Sequence, residues 1–475
     1  MEYRSGNRSG ALSMAFVLDT IPPQAELSVP YTAFAPNGNG NRDTLPVRVT
    51  TEGSDEWNAV ITDSGNTPVR SWNWTGRAPA VPLPWDGKDQ AGNSVPDGSY
   101  TFTLSSTDEA GNSARKTINN IVVDARVPKI FLTASAQYIA PKPNQAEAMR
   151  FSVMAAPSDG IDSWKLEIKD ENNSVIKTFP TPSGGRGTIP AAIPWNGADD
   201  RGIIREGRLT PSLTVNYTKG DLVTTSAPPV TVDISGPILG FRSTPEYFSP
   251  DNDGVEDELF IYLSARDASP ITEWSLEIRE TEGTRQLFYR IGGRGSPSER
   301  IIWDGRSNRG ELVQGATDYD YTYKATDFLG NSSSISGKIT TDVLVIRDGD
   351  MLRIQVPSIT FRANHADFVG IPTERQDTNN RVLRRIALIL NKFRDYKITV
   401  EGHANPVLGT AAEETNELRP LSLARAQAVI EQLVSFGVTR SRLSPAGRGG
   451  TKTVANPQDQ ANNWKNRRVE FLLIK

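Results

Sequence analysis

Three carboxylates crowd one short turn of this chain, Asp251, Asp253 and Asp257 in the run Phe248-Ser249-Pro250-Asp251-Asn252-Asp253-Gly254-Val255-Glu256-Asp257. Oxygen side chains at alternate positions around a glycine turn are what a hard cation such as calcium needs. The competing reading is an Asx-rich turn whose side chains bond their own backbone. It has weight, because no bidentate Glu stands at the far end of a loop of EF-hand length. A sister run, Phe34-Ala35-Pro36-Asn37-Gly38-Asn39-Gly40-Asn41-Arg42-Asp43, carries amides where the first carries acids. Calcium is therefore the one cofactor the residues suggest, and no cofactor at all is the alternative. Catalytic signatures are otherwise scarce: there is no glycine-rich phosphate loop, nucleophile elbow or zinc helix motif. With two His and no Cys, a His-based catalytic metal site has little to build on, and His365 and His403 read as turn or packing residues. Carboxylates abound, so a glycosidase pair stays open on sequence alone. The chain nevertheless reads as non-catalytic.

The elements that hold these residues are repeated. Trp85-Asp86-Gly87 recurs as Trp195-Asn196-Gly197 and Trp303-Asp304-Gly305, each followed by a second glycine, Gly92, Gly202 or Gly310, giving a repeat of about 108 residues. Upstream, Trp57, Trp164 and Trp274 each begin a run of period two, as in Trp274-Ser275-Leu276-Glu277-Ile278, which buries one face of a strand. Trp164 and Trp274 are expected in the core, with carbohydrate stacking as the alternative. Trp72 and Trp74 lie in a less regular segment and are expected to be exposed. Each unit closes on an aspartate, Asp124, Asp233 or Asp342, and two have Gly-Asn shortly before it, at Gly111-Asn112 and Gly330-Asn331. Gly6-Asn7 and Asp19 repeat that ending, so residues 1–20 read as the terminal strand of a preceding repeat. Units of this length with strands spaced by turn residues predict immunoglobulin-type sandwiches. They resemble the Ig-like repeats of flagellar hook-capping proteins over about residues 21–343, with the middle unit degraded.

From about Leu352 the pattern changes. Ile354, Val356 and Ile359-Thr360-Phe361 read as a strand. Val382, Leu383, Ile386, Ile389, Leu390 and Phe393 form a helix stripe of period 3.6. Lys397 to His403 reads as a second strand, and a helix with Ser422 as N-cap and Gly437 as its stop follows. Leu443 to Ala446 and Arg468 to Ile474 supply further strands. This order predicts helices on one side of a small mixed sheet. The motifs Gly402-His403-Ala404-Asn405, Leu421-Ser422-Leu423-Ala424-Arg425-Ala426 and Asn466-Arg467-Arg468-Val469 resemble the OmpA/Pal/MotB module of bacterial, including spirochaete, envelopes over residues 352–475. The resemblance implies peptidoglycan as ligand, with an acid at position 405 for the ammonium of the stem-peptide diamino acid and Arg425 for its carboxylate. Asn405 brings no charge and should lose about 1.5–3 kcal/mol of a charge-assisted contact, roughly ten- to a hundredfold in affinity. The loop before Ser422 is about five residues longer than in the family, which moves the Asn preceding the helix to Asn416 or replaces it by Leu418. Arg425 is expected in the first helical turn, where the dipole disfavours a cation. Arg467 reads equally as a ligand group or a brace for the sheet.

The fold class is thus multidomain: three tandem all-β Ig-like sandwiches followed by an α+β OmpA-like domain. The expected boundaries are 1–20, 21–125, 126–233, 234–343 and 352–475. A net charge of −4 from 52 basic and 56 acidic residues argues against a nucleic-acid partner. No run approaches the roughly 18 apolar residues of a membrane span, so no transmembrane segment is expected. The resemblance places the chain in the periplasm, held at the outer membrane by an upstream signal or lipid anchor. Its partners would be other envelope proteins and, with binding weakened or lost at Asn405, peptidoglycan. Pro128 and Pro237 would stiffen the junctions of a spacer arm.

Overall fold

The computed structural model describes residues 14, 18–53, 55–183 and 187–475. The chain divides between Val232 and Asp233 into two compact units. The strand expected within residues 1–20 lies almost wholly outside the described residues.

Four hydrophobic cores organise the described residues, two in each unit. In the first sandwich, the strands Ala25–Ser28, Leu45–Thr51 and Leu83–Trp85 form one sheet, and a five-stranded sheet that includes Glu56–Thr62 and Gly98–Thr107 forms the other. Alternation does the sorting. Trp57, Ala59 and Ile61 are buried on one face of Glu56–Thr62, and the intervening side chains are less so. Trp164 and Trp274 begin equivalent buried rows in the second and third sandwiches. Trp72 and Trp74 depart from expectation. They lie on the regular strand Pro68–Thr75, half-buried against the first core, with Trp72 6.2 Å from Phe102.

The Trp-Asp-Gly turn has a local cause. Each indole Nε1 donates to the carbonyl three residues on, Trp85 to Lys88 at 3.0 Å, Trp195 to Ala198 at 2.9 Å and Trp303 to Arg306 at 2.8 Å. The following glycine has positive φ and packs against a proline. A Cβ on Gly305 would stand 2.6 Å from Pro250 Cγ, so only glycine fits. The middle unit keeps the closing turn by another route. Tyr217 N donates to Asp221 O, as Asp108 N does to Asn112 O, and buried Lys219 sits 3.2 Å from Asp124 and 3.4 Å from Asp221.

The C-terminal sheet runs in the order Val345–Asp348, Met351–Val356, Val469–Ile474, Lys397–Gly402, Leu443–Gly447, and only the last pair is parallel. Val345–Asp348 is an edge strand the sequence pattern does not signal. Ile359 to Phe361 are not part of a strand. The Asn379 side chain instead bonds Thr360 N and O, both at 2.8 Å, taking the place of a sheet neighbour. The helix Thr373–Lys392 buries Val382, Leu383, Ile386, Ile389 and Leu390 as its spacing predicts. Burial of such side chains stabilises by about 1.5–3 kcal/mol each. They share one core with Ala426, Val429, Ile430 and Leu433 of the second helix and with Val400 and Phe471 of the sheet.

The second helix begins earlier than expected. Thr410 caps Ala411–Glu413 through Oγ1 to Glu413 N. A π-helical turn, Glu414–Leu418, and the helix Arg419–Ser435 then continue without a break. Ser422 is therefore interior rather than an N-cap. Arg425 lies several turns into the helical run, beyond the reach of the N-terminal dipole.

Candidate ligand site of the C-terminal module

Ser422, with none of its surface exposed, is the point where three segments meet. Its Oγ donates to Arg419 O at 3.0 Å and accepts from Gly449 N at 2.9 Å. Ala404 N in turn donates to Gly449 O at 2.8 Å. A Cβ on Gly402 would lie 2.1 Å from Ser422 O, so the strand can approach the helix only with glycine there.

Asn405 follows directly, and its side chain is spent on the fold. Its Oδ1 accepts from Asn466 Nδ2 at 2.8 Å, while its own Nδ2 donates to Pro406 O at 3.2 Å and Pro457 O at 3.3 Å. The extended loop beyond is folded by Glu413, whose carboxylate accepts from Val407, Leu408 and Gly409 N at 2.7–2.9 Å. Those bonds hold it below the ordinary carboxylate range. Glu413 escapes notice in the sequence, where nothing distinguishes it from Glu414 or Glu417.

Arg425 lies over the Phe361 ring at 5.0 Å and donates from Nε to His365 O at 3.1 Å. Burial, and then the charge of Arg467, press its pKa below the usual guanidinium value. Arg467 itself is exposed. Among the described residues no carboxylate pairs with either arginine. Asn416 stands on the exposed side of the π turn, nine residues before Arg425, or about 13 Å along a helix axis.

His403 proves to be more than a turn residue. It is 2% exposed, with Nε2 3.7 Å from Glu401 Oε2 and 3.9 Å from Glu470 Oε2. These three could ligate a metal by residue type. The other oxygen of each carboxylate already holds an arginine, Arg448 on Glu401 and Arg468 on Glu470 at 2.7 Å. Burial, followed by the Arg468 charge, drives the imidazole down to about 4. The alternation of Glu401 with His403 and of Arg468 with Glu470 along two strands is the only sequence sign of this cluster.

In the third sandwich Asp251, Asp253 and Asp257 do converge. Asp257 accepts from Asn252 N at 2.6 Å and Gly254 N at 2.8 Å, and Asp251 accepts from Val345 N at 2.8 Å. Burial pushes the Asp251 carboxyl up, and Asp253 and Asp257 add to it. The sister turn has the same shape: Asp43 accepts from Gly38 N at 2.8 Å and Gly40 N at 2.6 Å, with Asn37 and Asn39 at the places of Asp251 and Asp253. A further acidic group, Asp233, Asp267 and Asp327, lies at the start of the same sandwich. There burial and the two neighbouring acids raise Asp267 to about 6.

Residues 373–467 match the model of the OmpA family, and residues 39–110 match that of the FlgD Ig-like domain. The C-terminal module is thus an OmpA-family domain, preceded by Ig-like β domains. Among curated proteins the chain is similar to the C5a peptidase of Streptococcus pyogenes serotype M3, 23% identical over 225 residues. That match covers 40% of this chain and 18% of that protein, so the chain spans less than a fifth of the length of this relative. Solved structures similar to it include a putative MotB-like protein from Desulfovibrio vulgaris, 22% identical over 28% of this chain and 81% of that one, with a TM-score of 0.24. Another is the cell wall anchor of the T6SS from Pseudomonas aeruginosa, 29% identical over 28% of this chain and 87% of that one, with a TM-score of 0.22. No helix among the described residues is long and apolar enough to cross a membrane.

Proposed function

We propose that the chain is a non-catalytic envelope protein of the periplasm, a row of Ig-like spacers ending in an OmpA-family module whose grip on peptidoglycan is weakened or lost. The observation that carries this reading is the engagement of Asn405. With both amide hydrogens given to carbonyls and one lone pair of its oxygen to Asn466, Asn405 is tied into the fold and brings no charge to an ammonium group. Arg425 and Arg467 keep the cationic half of the site, so a carboxylate could still be held, without its charged partner. Other envelope proteins are the partners this reading assigns to the sandwiches. Sedimentation with purified sacculi tests it. The expected result is weak or absent co-sedimentation. Robust binding that disappears in Arg425→Ala would overturn the reading in favour of a working wall anchor.

For the acidic turn we propose a structural role rather than a calcium site, since the sister turn adopts the same bonds with Asn37 and Asn39. Calorimetric titration with calcium should give no binding heat. A saturable heat lost in Asp253→Asn would refute this.

A further inference from the structure

Within the unit Asp233–Lys475, the loop that fixes Asn405 is also held by the third sandwich. Lys465 is 5% exposed, and its Nζ lies 2.9 Å from Glu280 and 2.5 Å from Glu311. Glu280, itself 4% exposed, ends the sandwich strand Ile271–Glu280. The turn after that strand presses on the same loop. A Cβ on Gly283 would stand 2.4 Å from Ala461 O and 2.8 Å from Trp464 Cδ1.

The next residue along the chain is Asn466, which has no exposed surface. Its Oδ1 accepts from Val454 N at 2.8 Å and Ala455 N at 2.9 Å. Its Nδ2 donates to Ala455 O and to Asn405 Oδ1, both at 2.8 Å. One side chain thus ties three separate stretches together, and Arg467 follows it. Consecutive Cα atoms are about 3.8 Å apart, so there is no slack between the residue clamped to the sandwich and the residue that shapes the loop. A buried ammonium is tolerable only while paired. Without Glu280 and Glu311, Lys465 could stay charged only by turning out to water and taking the 463–466 turn with it.

We propose that the third sandwich is a working part of the C-terminal site, with Lys465 as a positioning residue that Glu280 and Glu311 hold in place so that Asn466 can fix Asn405 and the 454–455 stretch and present Arg467. This rests on the reading of that loop as the wall-facing site. The loop would then hold Asn405 and Arg467 in this arrangement only when the module is docked on its own sandwich.

The test uses the full chain and three variants, Lys465→Met, Glu280→Gln with Glu311→Gln, and the milder Glu311→Gln alone. Amide exchange at Val454 and Ala455 should accelerate by about tenfold or more in the first two and by less in the third. Amides of the strand Lys397–Gly402 should keep their rates. Any residual sedimentation with sacculi should fall in parallel. Unchanged exchange at Val454 and Ala455 in the double glutamine variant would overturn the proposal, as would equal acceleration at Lys397–Gly402 in all three, which would mark plain loss of stability. If the unmodified chain ignores sacculi altogether, the exchange arm still decides the positioning role separately from the wall-binding reading.

Discussion

Acidification should loosen the C-terminal module through His403. The imidazole titrates near 6.5 when free and is driven to about 4 in the fold, first by burial and then by Arg468. Between those values the unfolded chain binds a proton that the folded chain refuses, so stability falls as pH falls. The loss is absent above 6.5 and complete near 4. At about 1.4 kcal/mol per pH step, a gap of 6.5 minus 4 amounts to about 3.5 kcal/mol. Glu401 does not interfere at first. Burial pushes its carboxyl up but Arg448 outweighs this, leaving it below the ordinary value of 4.5, so its own loss begins only in stronger acid. The assay is native-state amide exchange on the strands Lys397–Gly402 and Val469–Ile474, corrected for intrinsic rates, from pH 7 to 4.5, for the unmodified chain and His403→Gln. The unmodified module should lose about 2–3 kcal/mol across the window relative to the variant, whose glutamine carries no titrating proton. Parallel profiles, or a module that gains stability toward acid relative to His403→Gln, would show that the imidazole is not desolvated and would refute the reasoning.

Three other outcomes are expected. Asp267 has the opposite sign: its folded pKa of about 6 lies above the ordinary 3.8, so neutral pH taxes the third sandwich and acid relieves it. Asp267→Asn should therefore stabilise exchange in the strand Asp318–Asp327 by about 1–3 kcal/mol at pH 7, discounted for partial exposure, with the gain vanishing near pH 4. Gly402→Ala places a methyl 2.1 Å from Ser422 O and should cost about 2–4 kcal/mol in the thermal or urea unfolding of the module; an unchanged transition would mean the strand and helix can part cheaply. Asn405→Asp sets a carboxylate against the carbonyls of Pro406 and Pro457 and should destabilise the 402–410 loop by about 1–3 kcal/mol rather than simply restore binding. A fully stable variant that gains sacculus affinity would contradict this.

Much of the fold was legible from the sequence because its causes are local. The Trp-Asp-Gly turn closes on a hydrogen bond three residues long and a glycine of positive φ, and Val382 to Leu390 share a face because a helix repeats every 3.6 residues. Where the cause is distant, the sequence misleads. Ser422 looks like a cap, yet the helical run starts at Thr410, because the longer loop gathers around Glu413. Trp72 and Trp74 look exposed, yet a neighbouring strand gives them a core to lean on.

The sequence by itself determined the sandwiches, the sheet-and-helix order of the module and the missing charge at position 405. Only the tertiary structure decided that Asn405 is consumed by Asn466, that His403 sits between Glu401 and Glu470, and that Lys465 is clamped by Glu280. Asn405 with Asn466, His403 with Glu470 and Lys465 with Glu280 each join residues from different strands, loops or sandwiches. Their energies depend on burial and on which groups meet in space, neither of which a linear spacing encodes.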